Sequence, residues 1–416
     1  MGSTRVSGVA GLLILLVECY LIMCINQGKA ILFCLPLRLI LLHCGPVILT
    51  IEQHGATLEP NYYARCGFKL VPQKEEHVVM QNLPGYIDSL MNPEAYDHPA
   101  SEVQLVQTHI SYVLIAGDFV YKFKKPMDFG FLDFSTLEKR AHYCLQEITL
   151  NRRLCPETYL ERVAVTLGSG GFLLDGGGEI VEYGVKMRRL REERMMGRVL
   201  AAGALTDTHL DQIVDTLVPF YESAEVNDEI RSYGRAEAVA VNVVENFEQT
   251  ESFVDGPALR REQFDGIRAY ALEVLKHEDR FNKRIADERI RDCHGDLYSA
   301  NICLDDKVYI FDCIEFNDRF RYSDVAGDIG FLAMDLDLHG LDNLADHFVA
   351  RYVERSGDQG LLDLIAFYKC YRAYVRGKIN LFTAADPGVD PETATGCTEQ
   401  AKRYFQLAER YAREDR

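Results

Sequence analysis

The stretch His294-Gly295-Asp296-Leu297-Tyr298-Ser299-Ala300-Asn301 decides how the rest of the chain is read, together with Asp312 eleven residues further on in Val308-Tyr309-Ile310-Phe311-Asp312. These residue types suit phosphoryl transfer, in which an Asp accepts the proton of an attacking hydroxyl while an Asn and a second Asp hold Mg²⁺ against nucleotide phosphates. The four fixed positions of H-G-D-x₄-N recur by chance in roughly one chain of this length in several hundred. Each residue alone has a plainer use, since Asp and Asn favour turns and His294 would serve as a packed core histidine. The spacing of the set is what points to catalysis.

Local pattern supports this. Asn301-Ile302-Cys303-Leu304 and Val308 to Asp312 are short β-prone runs joined by Asp305-Asp306-Lys307, a turn-type connection. Asn301 lies five residues before Asp306 and Asp312 six after it, so both fall at the open end of a hairpin and can share one cation. Mg²⁺ takes oxygen ligands and commonly only one or two from protein, which makes this pair chemically adequate. Asp296 lies on the loop entering the same mouth.

From His294 to Asp312 the chain resembles the catalytic segment of the aminoglycoside phosphotransferase family, small-molecule kinases with a protein-kinase-like two-lobed fold. The continuation Ile314-Glu315-Phe316-Asn317-Asp318-Arg319-Phe320-Arg321-Tyr322-Ser323-Asp324-Val325-Ala326 is similar to one bacterial branch, in many members of which the lobe pair precedes a P-loop kinase domain. The resemblance runs from about Met80 to the C-terminus. It implies Asp296 as catalytic base, Asn301 and Asp312 as metal ligands, and ATP and Mg²⁺ as cofactors. It also implies His294 and Asp324 as supports of the catalytic loop, with Asp324 a buried acceptor that braces it. The expected fold is α+β: a small antiparallel sheet plus one helix over residues 80–187, and a larger helical lobe with the catalytic hairpin over 188–416.

The family pattern needs a Lys for the phosphates and a Glu to position it. Ile110 to Ile115 and Asp118 to Lys124 read as strands around Ala116-Gly117, and alternation puts Val120, Lys122 and Lys124 on one face of the second. Lys122, mid-strand, is the expected phosphate ligand; Lys124 remains the alternative, and Lys124 and Lys125 read as solvated charges near the strand end. A helix should follow, opened by the capping box Ser135-Thr136-Leu137-Glu138. Along it Tyr143, Cys144, Glu147, Leu150 and Leu154 fall at three- and four-residue steps. A carboxylate on such a stripe needs a partner because burying it unpaired costs several kcal/mol. Lys122 is the expected partner of Glu147, with Arg140 or Asn151 at the stripe's edge as the alternative.

One departure from the pattern is the lack of G-x-G-x-x-G before Lys122. Gln107-Thr108-His109-Ile110-Ser111 takes that place, and its hydroxyl and backbone donors would have to serve the phosphates. Gly168-Ser169-Gly170-Gly171 and Gly176-Gly177-Gly178 fall between β-prone runs and read as hairpin turns. Ile180 to Met187 reads as the strand leading to the hinge, and the resemblance implies that backbone near Met187 contacts adenine.

Beyond Arg188 the signal is mostly helical, with stretches at Asp207 to Ala224, Gln263 to Lys276, Leu344 to Glu354, Leu361 to Leu381 and Thr398 to Ala412. The formal charge of −18, from 45 Lys+Arg against 63 Asp+Glu, argues against a nucleic-acid partner, which requires a basic face. The expected partner is a small molecule bearing a hydroxyl. The twelve Cys are scattered without C-x-x-C pairs and read as reduced, core-packed thiols of a cytoplasmic protein.

Residues 1–79 are a separate apolar extension. Val9 to Ile25 carries only Glu18 and Ala30 to Ile51 only Arg38, each long enough for a membrane span. Membrane contact is expected only through residues 8–51. Three readings stand: a working protein that begins at Met80, a membrane anchor, or a buried extension. Two other functions are kept open, a nucleotide-binding pseudokinase and a membrane-tethered interaction module.

Overall fold

The computed structural model describes residues 83–415. The 1–79 extension, its apolar segments within 8–51 and the alternative start at Met80 lie outside the described residues. From Gly85 onward the described residues fall in one compact unit.

An antiparallel sheet forms the first lobe, with strands β1 (Val103–Gln107), β2 (Ser111–Ala116), β3 (Phe119–Lys124), β4 (Tyr159–Gly168), β5 (Gly171–Leu174) and β6 (Glu179–Arg188). Their order across it is β1-β2-β3-β6-β4-β5. Gly117 closes the β2–β3 turn at φ +57°, and a Cβ there would sit 2.4 Å from the Pro99 carbonyl oxygen, so only Gly fits. The glycine-rich stretches are the hairpin turns flanking β5.

β3 is buried on both faces, which explains its unbroken apolar-plus-lysine sequence. One face is covered by the segment that begins with α1 (Gly85–Leu90): Tyr86 meets Phe123 edge-on at 5.7 Å and Tyr96 packs on Tyr121 at 5.0 Å. The other face, bearing Lys122 and Lys124, receives α2 (Leu137–Asn151). This helix is capped by Thr136, whose hydroxyl accepts from Lys139 N–H at 3.3 Å. The expected cap, Ser135, instead donates its hydroxyl to Asp133 at 2.6 Å. A carboxylate is the stronger acceptor, so it draws Ser135 away and the helix starts one residue later.

The second lobe is helical: α3 (Met196–Ala201), α4 (Asp207–Ser223), α5 (Asp228–Ser232), α6 (Ala236–Thr250), α7 (Arg261–Leu275), α8 (Glu278–Ala286), α9 (Asp318–Arg321), α10 (Val325–Leu338), α11 (Asp342–Ser356), α12 (Ile365–Ala385) and α13 (Pro391–Glu414). α4 continues through Pro219 near its C-terminal end. α3, α5, α6, α8, α9 and α10 had no counterpart among the expected stretches. α10 is buried along its whole length, so it shows no amphipathic stripe.

Two small ladders interrupt these helices. β7 (Ile290–Asp292) pairs with β10 (Tyr322–Asp324), and β8 (Ile302–Leu304) pairs with β9 (Val308–Ile310) in the expected hairpin, Ile302 opposite Ile310. Cys303 and Phe311 from this hairpin share a core with Val120, Ile148, Tyr159, Val185 and Met187 of the sheet lobe. The hairpin is thus clamped against the underside of the sheet, which sets Asn301 and Asp312 beneath Lys122. Among the described residues no helix is long and apolar enough to cross a membrane. Seven described cysteines are free and buried. A strand-rich lobe with one packed helix, followed by a helical lobe carrying a short hairpin, is a two-lobed, protein-kinase-like fold.

Candidate active site

The loop from β7 to β8 is fixed by a carboxylate beneath it. Asp328 on α10 accepts the main-chain N–H of His294 at 2.8 Å and of Gly295 at 3.0 Å, and the Tyr221 hydroxyl at 3.0 Å. Gly295 turns at φ +86°, where an added Cβ would lie 2.9 Å from the Phe320 carbonyl oxygen. The His294 ring is fully buried. Its Nδ1 accepts from the Asp296 N–H at 3.3 Å and its Nε2 faces the Phe311 carbonyl at 3.0 Å. That pair of contacts assigns the neutral tautomer with the proton on Nε2. Burial accordingly pushes its pKa down to about 4. His294 thus links the Asp296 peptide to the Phe311 carbonyl at the end of the hairpin.

Asp296 is itself buried, and Asn301 donates its amide to the Asp296 carbonyl at 2.9 Å and to its carboxylate at 3.0 Å. The Asn301 carbonyl accepts the Phe311 N–H at 3.0 Å, so Asn301 and Asp312 do flank one mouth. Asp312 adopts φ +64°, a left-handed conformation that Asp tolerates better than most residues and that concentrates at functional sites. Tyr159 on β4 accepts its N–H at 3.2 Å. One carboxylate oxygen receives Lys122 at 2.9 Å. The other, Oδ2, is buried with no hydrogen-bond partner among the described residues. Burial, with Lys122 opposing it and Glu147 adding to it, raises the Asp312 pKa to about 6. A desolvated carboxylate oxygen without a donor is what a divalent cation would satisfy, so this residue fits a Mg²⁺ ligand.

Lys122 also lies 3.0 Å from Glu147 of α2, as expected from the buried stripe. Lys124 requires a correction. It is not a solvated charge but is fully buried, 2.7 Å from Glu147 and bonded to Glu315. Both lysines point to the same side because β-strand side chains alternate, and Glu147 sits between them. Although burial opposes it, Lys122 and Lys124 hold the Glu147 carboxyl below the usual range. Arg140, the alternative partner, pairs with Glu182 at 2.8 Å. Asn151 accepts the Cys313 N–H at 2.8 Å, tying α2 to the backbone just after Asp312. Lys122 therefore touches Asp312, whereas Lys124 anchors the same helix one step further along the strand.

Three further expectations change. Asp324 does not brace the catalytic loop: it grips Arg284 through both oxygens, at 2.9 and 2.7 Å, and caps α10 through Ala326 N–H. The brace is Asp328, one helical turn on, because that turn carries the side chain from α8 to the loop. Met187 stands opposite Val120 of β3 and Tyr159 of β4, so its peptide groups belong to the sheet. The first backbone leaving the sheet is Arg188 to Arg191. In the β1–β2 turn, Thr108 accepts the Ser111 N–H on its hydroxyl at 2.8 Å, and Lys125 binds the Thr108 carbonyl at 2.6 Å. The Thr108 hydroxyl is thus taken up by the turn itself.

Glu315 and Asp328 were not singled out from the sequence as site residues, and Lys124 was named only as the alternative phosphate ligand. Asp328 had a usable signal, since an Asp inside Val-Ala-Gly-Asp-Ile-Gly-Phe-Leu must be bonded if that segment is buried. Between the lobes, alongside the segment after Asp312, lies a cavity of about 480 Å³. Its wall residues Ile314 and Phe320 pack on Gly295.

No family model matches the chain. It is 36% identical over 303 residues to uncharacterised proteins of Mycobacterium tuberculosis and Mycobacterium bovis, covering 70% of this chain and 58% of theirs. The chain therefore spans somewhat over half the length of these relatives. Similar solved structures include a choline/ethanolamine kinase family protein from Mesorhizobium loti (TM-score 0.43, 12% identity, 79% of this chain and 99% of that one). A second, from Ralstonia eutropha, is provisionally described as an aminoglycoside phosphotransferase (0.41, 11%, 79% and 98%). A third is Plasmodium vivax ethanolamine kinase (0.43, 13%, 78% and 84%). At such scores these likenesses add no weight of their own. The strand order, the hairpin beneath the sheet and the Lys122–Glu147–Asp312 cluster define a two-lobed, protein-kinase-like fold.

Proposed function

We propose that this protein is a Mg²⁺- and ATP-dependent phosphotransferase acting on a hydroxyl of a small molecule. The observation that carries the reading is the meeting at Asp312 of two lobes. Lys122 and Glu147 arrive from the sheet lobe, Asn301 and Asp296 from the helical lobe, and Asp312 keeps one buried oxygen without a partner.

In this reading Asp312 and the amide oxygen of Asn301 hold the metal, which when bound offsets the negative charge of the nucleotide phosphates. Lys122, held by Glu147, orients those phosphates. Asp296, steadied by the Asn301 amide, accepts the proton of the acceptor hydroxyl. Most of the acceleration then comes from positioning and charge stabilisation rather than covalent chemistry. Adenine would meet the backbone of Arg188 to Arg191. The working lobes are 80–187 and 188–416 in a cytoplasmic protein, a compartment that suits free thiols.

The test uses two variants. Asp312→Ala loses Mg²⁺-dependent nucleotide binding, whereas Asp296→Asn keeps binding and loses turnover. Wild-type protein that binds no nucleotide with millimolar Mg²⁺ would refute the proposal.

A further inference from the structure

Behind the site the lobes are joined by a side chain that has no part in the proposed transfer, and its role rests on the phosphotransferase reading. α2 ends at Asn151, and Arg153 follows its last turn. The Arg153 Nε donates back to the Leu150 carbonyl at 3.0 Å, one of the C-terminal carbonyls that a helix leaves unpaired. Its Nη1 donates to the Asp292 carbonyl and its Nη2 to the Cys293 carbonyl, both at 2.9 Å. Nη2 also lies 3.3 Å from the Cys313 sulfur. The guanidinium carbon sits 5.0 Å from the ring centroid of Phe220 on α4. One guanidinium from the sheet-lobe helix thus holds both the end of β7, which leads into Asp296, and the residue after Asp312.

The same short stretch carries two other ties. Glu147 lies 3.0 Å from Lys122, and Asn151 accepts the Cys313 N–H at 2.8 Å. Glu147, Asn151 and Arg153 therefore fix the phosphate ligand, the metal ligand and the base-bearing loop relative to one another. A planar guanidinium sets such spacing more strictly than a flexible ammonium. Position, rather than charge, is what Arg153 supplies. The buried Asp292 carboxylate, 3.3 Å from Arg153, is also paired with Arg321, whose Nη1 donates to the Ile314 carbonyl at 2.9 Å. Removing Arg153 leaves Asp292 with that second partner, so no buried charge is orphaned.

We infer that Arg153 is a positioning residue that holds the catalytic loop and Asp312 at their working separation, so that the metal site is assembled before the nucleotide arrives. Nucleotide binding then does not have to order these segments, an ordering that would weaken affinity.

The experiment takes the full chain as wild type, Arg153→Met and Arg153→Lys. Hydrogen exchange is followed first in metal- and nucleotide-free protein. Arg153→Met should speed exchange about tenfold at the Asp296 and Cys313 amides and leave the α7 amides unchanged. ATP is then titrated calorimetrically with and without Mg²⁺, well below each melting temperature, where a general loss of stability does not move the ratio of the two affinities. That ratio should fall about tenfold in Arg153→Met and about threefold in Arg153→Lys, whose ammonium still reaches one carbonyl. The inference is overturned if folded Arg153→Met keeps either the wild-type exchange at those amides or the wild-type ratio. Wild-type protein decides the matter even if Arg153→Met does not fold. Cys293 and Cys313 amides that gain more protection from MgATP than the α7 amides would show a site formed around the nucleotide, and equal gains a site already assembled. Wild-type protein that binds no ATP refutes the phosphotransferase reading, and the exchange of the metal-free variants then judges Arg153 by itself.

Discussion

Replacing Asp328 with Asn isolates the element that holds the catalytic loop. The native carboxylate accepts two main-chain N–H groups and one hydroxyl, at 2.8, 3.0 and 3.0 Å, inside a fully buried helix. Asn keeps the shape but has one acceptor oxygen, and its NH₂ group faces either the His294 or the Gly295 amide. One charge-assisted bond is lost and one buried N–H is left against another donor. Hydrogen bonds to charged groups contribute about 1.5–3 kcal/mol, and an unsatisfied buried donor costs about 1–3 kcal/mol. These overlap rather than add in full, so the expected loss of stability is about 2–4 kcal/mol. Urea unfolding gives that number, and hydrogen exchange at His294 and Gly295 tells whether it is local. Turnover should fall more than nucleotide affinity, because the loop carries Asp296 whereas Lys122 and Glu147 belong to the other lobe. Tyr221→Phe, which removes only the hydroxyl, should cost about 1 kcal/mol and leave turnover nearly intact. A stability change below about 1 kcal/mol for Asp328→Asn, with unchanged exchange at the two amides, would show that the loop is not held this way.

Other expectations come from the same geometry. Lys124→Met leaves Glu147 and Glu315 short of a buried counter-charge and should cost about 3–5 kcal/mol in urea unfolding, despite Lys124 lying outside the phosphate site. His294 has its pKa lowered from 6.5 to about 4, so the unfolded chain binds the extra proton between those values. Stability from this group is complete above pH 6.5 and falls by about 3 kcal/mol as pH drops toward 4, a loss that His294→Gln should abolish in unfolding measured at pH 4.5 and 7.5. Asp312 behaves oppositely, its folded pKa raised from 3.8 to about 6. Its stabilising protonated form is lost as pH rises through 6, so the metal-free protein is penalised above that pH. MgATP should therefore raise the melting temperature more at pH 7.5 than at pH 5, and equal shifts at both would count against Asp312 as the ligand.

The chain's own pattern determines a good deal. The H-G-D-x₄-N spacing, the hairpin around Asp306 and the alternation on β3 are local properties, set by turn chemistry and side-chain period, and they suffice to bring Asp296, Asn301 and Asp312 to one mouth and to turn Lys122 and Lys124 to one face. The Glu147 stripe likewise comes from helical period, and the demand for a buried partner from desolvation.

What only the tertiary structure decided is which of two equivalent residues does which task. Lys122 and Lys124 share a face, so the strand cannot say that Lys124 is buried against Glu315; that depends on where the segment after Asp312 passes. Asp324 and Asp328 are one helical turn apart, and the distance from α10 to Arg284 on one side and to the His294 amide on the other assigns them. Ser135 and Thr136 are both good caps until Asp133 takes the first. Such choices are made by long-range packing and by competition for hydrogen-bond partners, neither of which has a signature within a short window of sequence.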